Sequence, residues 1–127
     1  MARPIALITG ASSGIGEIIA LRLASSGHDL VLVARRGDEL ARVAGLAAAA
    51  GAASETIVAD LSQAADVAKV EARILDSTQP IEILVNNAGY GRFGKITELD
   101  SAGEANEIAV NVTALTLLSR AALIAMA

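Results

Sequence analysis

The sequence predicts an α/β fold, a doubly wound parallel sheet covered on both faces, and three observations carry that prediction. Four short β-type runs alternate with helical patterns along the chain. The runs are nearly continuous in apolar residues, as strands buried on both faces are. Aromatic residues make up only 2% of a chain that is 54% hydrophobic, so the core is built from Ala, Val, Ile and Leu. That composition suits interleaved helices and parallel strands better than a sandwich or a small barrel.

The 127 residues form one domain, 1–127, long enough for a real core. A net charge of −4 leaves no basic footprint for nucleic acid. The absence of cysteine removes disulfides and thiolate metal sites, and no metal is expected. The start, "MARPIALITG", has too short an apolar run for a signal peptide, so a cytoplasmic location is expected. Residues 108–127, "IAVNVTALTLLSRAALIAMA", are long and apolar enough to span a bilayer. Arg120 stands inside that run, however, and a mid-membrane arginine costs about 2.5–3.5 kcal/mol. The expectation is a buried helix covered on most sides by protein, with no membrane partner.

The first strand is read at Pro4–Thr9, and Ile15, Ile18, Ile19 and Leu23 then recur on one face of a helix that Gly27 stops. Asp29–Ala34 is the second strand. Leu40, Val43, Ala44, Ala47 and Ala48 follow it at helical spacing, with Gly51 as the stop. Glu55–Ala59 is the third strand, and Ser62 is read as the N-cap of a helix carrying Val67, Val70 and Ile74. Ile81–Asn86 is the fourth strand, and Ser101 with Glu104 spells a capping box for the last helix. Right-handed crossovers then give the strand order 3-2-1-4.

The stretch "ITGASSGIG" (8–16) leaves the first strand and opens the first helix. A helix N-terminus presents unpaired N–H groups and partial positive charge, so anions bind there without a basic side chain. Gly10 allows the sharp turn, Gly14 and Gly16 let a pyrophosphate and the neighbouring strand approach, and Ser12 and Ser13 add hydroxyl donors. The stretch "GASSG" also spells a serine-nucleophile elbow. That reading fails on distance: His28, the one histidine, stands at the far end of the helix. About fourteen helical residues span roughly 21 Å.

The second strand ends "LVLVARRGDEL", placing Arg35 and Arg36 where a dinucleotide fold usually holds an acid for the ribose 2′-hydroxyl. Guanidinium matches a 2′-phosphate with paired charge-assisted hydrogen bonds, whereas a carboxylate repels it. The expected cofactor of this Rossmann-type sheet is therefore NADP.

In order and spacing, "TGASSGIG" (9–16), "VADLS" (58–62), "NNAG" (86–89) and Asn111 resemble the short-chain dehydrogenase/reductase family. The likeness covers the whole chain. It implies that Gly10, Ser12, Ser13, Gly14, Ile15 and Gly16, with Arg35 and Arg36, hold the cofactor. It implies also that Asp60 and Leu61 lie against the adenine, that Asn87, Ala88 and Gly89 line the cofactor groove, and that Asn111 is the helix-borne member of a catalytic tetrad. The residues agree with a functional Asn111: it shares a helical face with Ile108, Val112 and Leu115, which is expected to turn toward the sheet. Simple backbone satisfaction of its amide is the alternative.

The family's chemistry also needs a Ser, a Tyr and a Lys four residues after that Tyr. The one tyrosine, Tyr90, has Gly94 at that offset, and Lys95 lies in a glycine-rich loop, so "YGRFGK" is a decoy. The resemblance thus implies the N-terminal half of an enzyme, truncated after the helix that follows the fourth strand and inactive alone. Two functions follow. One is an NADP-dependent oxidoreductase, homo-oligomeric, acting on a small-molecule carbonyl or alcohol, of which this is the cofactor half. The other is a non-catalytic NADP-binding module, a sensor or interaction protein. A purpose-built module would need no Asn111 and should blunt its sheet edge with charge. "IEILV" (81–85) offers no Lys or Pro, and the oxidoreductase leads.

Overall fold

A computed structural model describes residues 3–127. Four strands, β1 (Ile5–Thr9), β2 (Asp29–Ala34), β3 (Ser54–Val58) and β4 (Ile81–Val85), form one sheet in the order β3-β2-β1-β4. Every pairing is parallel, with Leu7 beside Val31 and Leu84, and Leu32 beside Thr56. Helices α1 (Gly14–Ser25), α2 (Gly37–Ala49) and α3 (Ala64–Leu75) connect them. After β4 a loop leads to α4 (Ser101–Ile108), a π-helical turn (Ala109–Ala114) and α5 (Leu115–Met126).

Because strand side chains alternate between faces, β1 feeds two cores. Ala6 and Ile8 join Leu30, Leu32, Leu40 and Val43 under α1 and α2. Leu7 joins Val31, Val33, Val67, Val70, Ile74 and Leu118 under α3 and α5. The sheet is therefore doubly wound, as its apolar strands predict. The two edge strands are less covered than β1 and β2: β3 leaves Val58 half exposed, and in β4 only Ile81 is fully buried.

Four local expectations are corrected. The buried face of α1 is Gly16, Ala20 and Ala24, while Ile15 and Ile18 are 69% and 63% exposed. Small residues at i, i+4 and i+8 let that helix lie close on the strands, which bulky isoleucines would prevent. Ser62 is not a cap: Gln63 holds that position, and the Ser62 N–H and hydroxyl both donate to Asp60 Oδ1, at 3.0 and 2.7 Å. α4 is capped by Asp100, whose carboxylate accepts from the Gly103 N–H at 3.4 Å, and Ser101 is the first helical residue. Finally, the continuous helix Ser101–Met126 is long and apolar enough to cross a membrane, yet it is covered on one side only. Val110, Ala114, Leu118, Ala121 and Ala122 are buried, whereas Ile108, Val112, Leu123 and Ile124 face outward.

Candidate functional site

A cavity of about 550 Å³ opens at the carboxyl ends of the strands, where β1 lies between β2 and β4. Open α/β sheets bind ligands in such crevices because strand order reverses there and neighbouring loops diverge. Gly10, Ser12, Ser13, Arg35, Arg36, Leu61, Asn87, Ala88 and Gly89 all line it. Val33, Ala34, Ala59, Tyr90 and Val110 complete the wall. Gly14, Ile15, Gly16, Asp60 and Asn111 stand off it.

The floor is fastened by Thr9, the last residue of β1, which is 1% exposed. Its hydroxyl oxygen accepts from the N–H groups of Asn87 and Ala88, at 3.0 and 2.9 Å. Asn87 Nδ2 donates back to the Gly10 carbonyl at 3.2 Å. The chain leaving β4 is thus tied to the chain leaving β1. Gly10 has φ +65°, and a Cβ there would lie 2.9 Å from Asn87 Nδ2 and 3.0 Å from Ala88 Cα. Gly16 is needed for a different reason: its Cβ would overlap the Gly10 carbonyl oxygen. Gly16 therefore shapes the loop from beneath, and Gly14, exposed at the first position of α1, meets no neighbour.

Arg42, on α2, braces the loop from outside. It bonds both Glu17 oxygens, at 2.6 and 3.3 Å, Glu39 at 3.0 Å and the Ser12 carbonyl at 3.3 Å. The Arg42 guanidinium holds the Glu17 carboxyl below its ordinary pKa, and Glu17 and Glu39 in turn raise that of Arg42. Arg35 and Arg36 differ. Both are exposed at the cavity, and among the described residues neither side chain makes a hydrogen bond or ion pair. Arg36 also sits at the N-cap of α2, where a cation is mildly unfavourable.

Asp60 spends its carboxylate on the turn that presents Leu61. The Ser62 hydroxyl and then the Ser62 N–H stabilise the charged form, and Arg35 adds attraction, so its pKa is lowered despite partial burial. Asn111 does not turn toward the sheet with Ile108, Val112 and Leu115; those three are exposed, and Val110, Ala114 and Leu118 face the sheet instead. Asn111 lies in the π-helical turn and its amide is satisfied by backbone. Its Nδ2 donates to the Tyr90 carbonyl at 2.7 Å and its Oδ1 accepts from the Tyr90 N–H at 3.0 Å. Beside it a Cβ on Gly89 would lie 2.8 Å from Oδ1.

Sequence reasoning missed Thr9, Arg42 and Tyr90. A polar residue closing a buried apolar strand was a legible signal for Thr9. Arg42 and Glu17 are 25 positions apart, and nothing in the sequence pairs them.

A family profile described as short chain dehydrogenase matches residues 4–127. The chain is 41% identical over 102 residues to sepiapterin reductase of Chlorobaculum tepidum, a match spanning 75% of this chain and 42% of that protein. It is 38% identical over 116 residues to 2,3-dihydro-2,3-dihydroxybenzoate dehydrogenase of Bacillus subtilis, spanning 91% and 44%. The chain thus spans less than half the length of these curated relatives. Among solved structures, a short-chain dehydrogenase from Sphingobium yanoikuyae in complex with NADPH superposes with a TM-score of 0.89 at 46% identity, over 94% of this chain and 47% of that one. A metagenomic short-chain oxidoreductase in complex with NADP gives 0.90 at 40%, over 97% and 56%. With the strand order, the glycine loop and the fastened end of β4 all in place, a match running from Pro4 to the last residue has one meaning: the chain belongs to the short-chain dehydrogenase family.

Proposed function

We propose that the cavity holds NADP(H) and that residues 1–127 are the cofactor-binding domain of an oxidoreductase acting on a carbonyl or alcohol substrate. The observation that carries this is the pair Arg35 and Arg36, exposed at the cavity, their side chains without a hydrogen bond or ion pair among the described residues. The pocket fits the group. Gly10 and Gly16 leave a loop that any Cβ would distort, and the N-cap Ser13 makes no side-chain capping bond to α1, which leaves N–H groups of its first turn to an anion.

When bound, the cofactor supplies or accepts the hydride. The chain's own residues bind and orient. Arg35 and Arg36 hold the 2′-phosphate; Ser12, Ser13 and the first turn of α1 hold the pyrophosphate, with Ile15 and Gly14 completing that turn. Leu61, presented by the Asp60–Ser62 turn, and Ala59 and Val33 form an apolar wall for the adenine. Asn87, Ala88 and Gly89, fixed through Thr9, line the inner end. Asn111 fixes the backbone of Tyr90, and a water held there is the role the family gives it. Relatives named as reductases and dehydrogenases support this reading over a module without catalysis.

The test is a titration of the full protein with NADPH and NADH at one salt concentration. Hydrogen bonds to charged groups are worth about 1.5–3 kcal/mol, so NADPH should bind roughly tenfold or more tightly. Arg35→Asp should reverse the order. Equal affinities would overturn the assignment.

A further inference from the structure

Arg42 lies off the cavity wall, yet its guanidinium joins three segments: Glu17 in the first turn of α1, Glu39 in the first turn of α2, and the carbonyl of Ser12 in the glycine loop. An isolated exposed ion pair does little. A planar fork bonded on several sides has one geometry and transmits it to whatever it touches. Here one of the things it touches is loop backbone.

We propose that Arg42 is a positioning residue for nucleotide binding, acting by fixing the Ser12–Ser13 peptide rather than by touching the ligand. The proposal rests on the cofactor reading of the cavity. In a trans peptide the C=O and the following N–H point in opposite directions. Holding the Ser12 oxygen on Arg42 therefore aims the Ser13 N–H away from α2, and keeps an electron-rich carbonyl from turning toward an anion. Ser12 and Ser13 both line the cavity. The Ser13 side chain makes no capping bond that would hold the turn from within. Ala11 and Gly10 are held by Val33 and Asn87, and at the Ser12 carbonyl it is Arg42 that supplies the bond.

Three ligands separate this role from a general one on the full-length protein: NADPH, NADH and adenosine 2′-monophosphate, which has no pyrophosphate. Arg42→Ala should weaken NADPH and NADH alike by roughly fivefold, about 1 kcal/mol, leaving their ratio unchanged and adenosine 2′-monophosphate unaffected. Arg42→Lys should restore part of the loss. Glu17→Gln keeps the shape and removes the charge; it should move both dinucleotides in the same direction, and it serves where Arg42→Ala does not fold. Unchanged dinucleotide affinity in Arg42→Ala and Glu17→Gln overturns the proposal. So does an equal loss for adenosine 2′-monophosphate, which would make Arg42 a support of α2 as a whole. A wild-type protein that binds neither dinucleotide overturns the cofactor reading itself, and this proposal with it.

Discussion

Asn111 and Tyr90 exchange two hydrogen bonds, side-chain amide to main chain, 2.7 and 3.0 Å long and 21 residues apart in sequence. One helix position thereby sets the path of the loop that runs from β4 to α4. Asn111→Ala removes both bonds. Each is worth about 0.5–1.5 kcal/mol, so a loss of roughly 1–2 kcal/mol is expected in denaturant unfolding. The exchange rate of the Tyr90 amide proton should rise by more than that of the strand amides. Asn111→Asp keeps the acceptor and sets a carboxylate against the Tyr90 carbonyl, so it should not rescue.

Thr9 supplies a sharper case because it is buried. Thr9→Val preserves shape and strips the acceptor from the Asn87 and Ala88 N–H groups. An unsatisfied buried donor costs about 1–3 kcal/mol, and the variant should lose at least about 2 kcal/mol of stability along with nucleotide affinity. Thr9→Ser keeps the oxygen and should lose only about 1 kcal/mol, for the missing methyl. Equal losses would show that the hydroxyl does not fasten β4.

Two glycines of one loop should respond differently to alanine. At Gly14 the backbone has φ +57° with open space around it, so Gly14→Ala carries only the left-handed strain of about 1–2 kcal/mol. At Gly16 the added methyl meets the Gly10 carbonyl, and backbone must move. Overpacking of that kind costs about 1–3 kcal/mol and occasionally more. Gly16→Ala should be the more destabilised of the two and should also lose NADPH binding. A reversed order would refute the packing account.

The pH dependence of stability reports on Asp60. Its folded-state pKa lies below the ordinary aspartate value because Ser62 donates twice to the charged form. A depressed pKa means that the native state binds its proton less readily than the unfolded chain. The stabilisation is fully present above the unfolded pKa, about 3.9, and is lost as pH falls through the folded one. Other carboxyls titrate in the same range, so the readout is the difference between wild type and Asp60→Asn. The wild type should lose its advantage over the variant below about pH 4. A constant difference would remove Ser62 as the cause.

Sheet order and cavity were legible because they depend on alternation, on glycine and on apolar run length, all of which a linear reading captures. The strand at Asp29–Ala34 and the buried Val67, Val70 and Ile74 stand where periodicity puts them, and the strand read at Ile81–Asn86 ends one residue earlier, at Val85. Helix faces were less legible. In α1 hydrophobicity pointed to Ile15 and Ile18, but packing against a parallel strand rewards closeness, and Gly16, Ala20 and Ala24 took the buried side. Caps misled for a related reason. Ser62 and Ser101 are good cap residues, but Asp60 already engages the first, and Asp100 precedes the second with a stronger acceptor. Asn111 was misplaced because regular helical spacing was assumed through a segment that is not a regular α-helix.

That irregular segment, Ala109–Ala114, works as a phase shift. One extra residue in a helical turn offsets everything downstream by about 100°. On one side of it α4 buries no residue at all; on the other, α5 keeps an uninterrupted stripe of Leu118, Ala121 and Ala122 against the sheet. The two halves of one backbone therefore answer to different partners, the first to a loop and the second to a core, without having to agree on rotation. A single-residue deletion inside the turn would put both halves back in step, and the chain would then have to give up either the Asn111 grip on Tyr90 or the seating of α5.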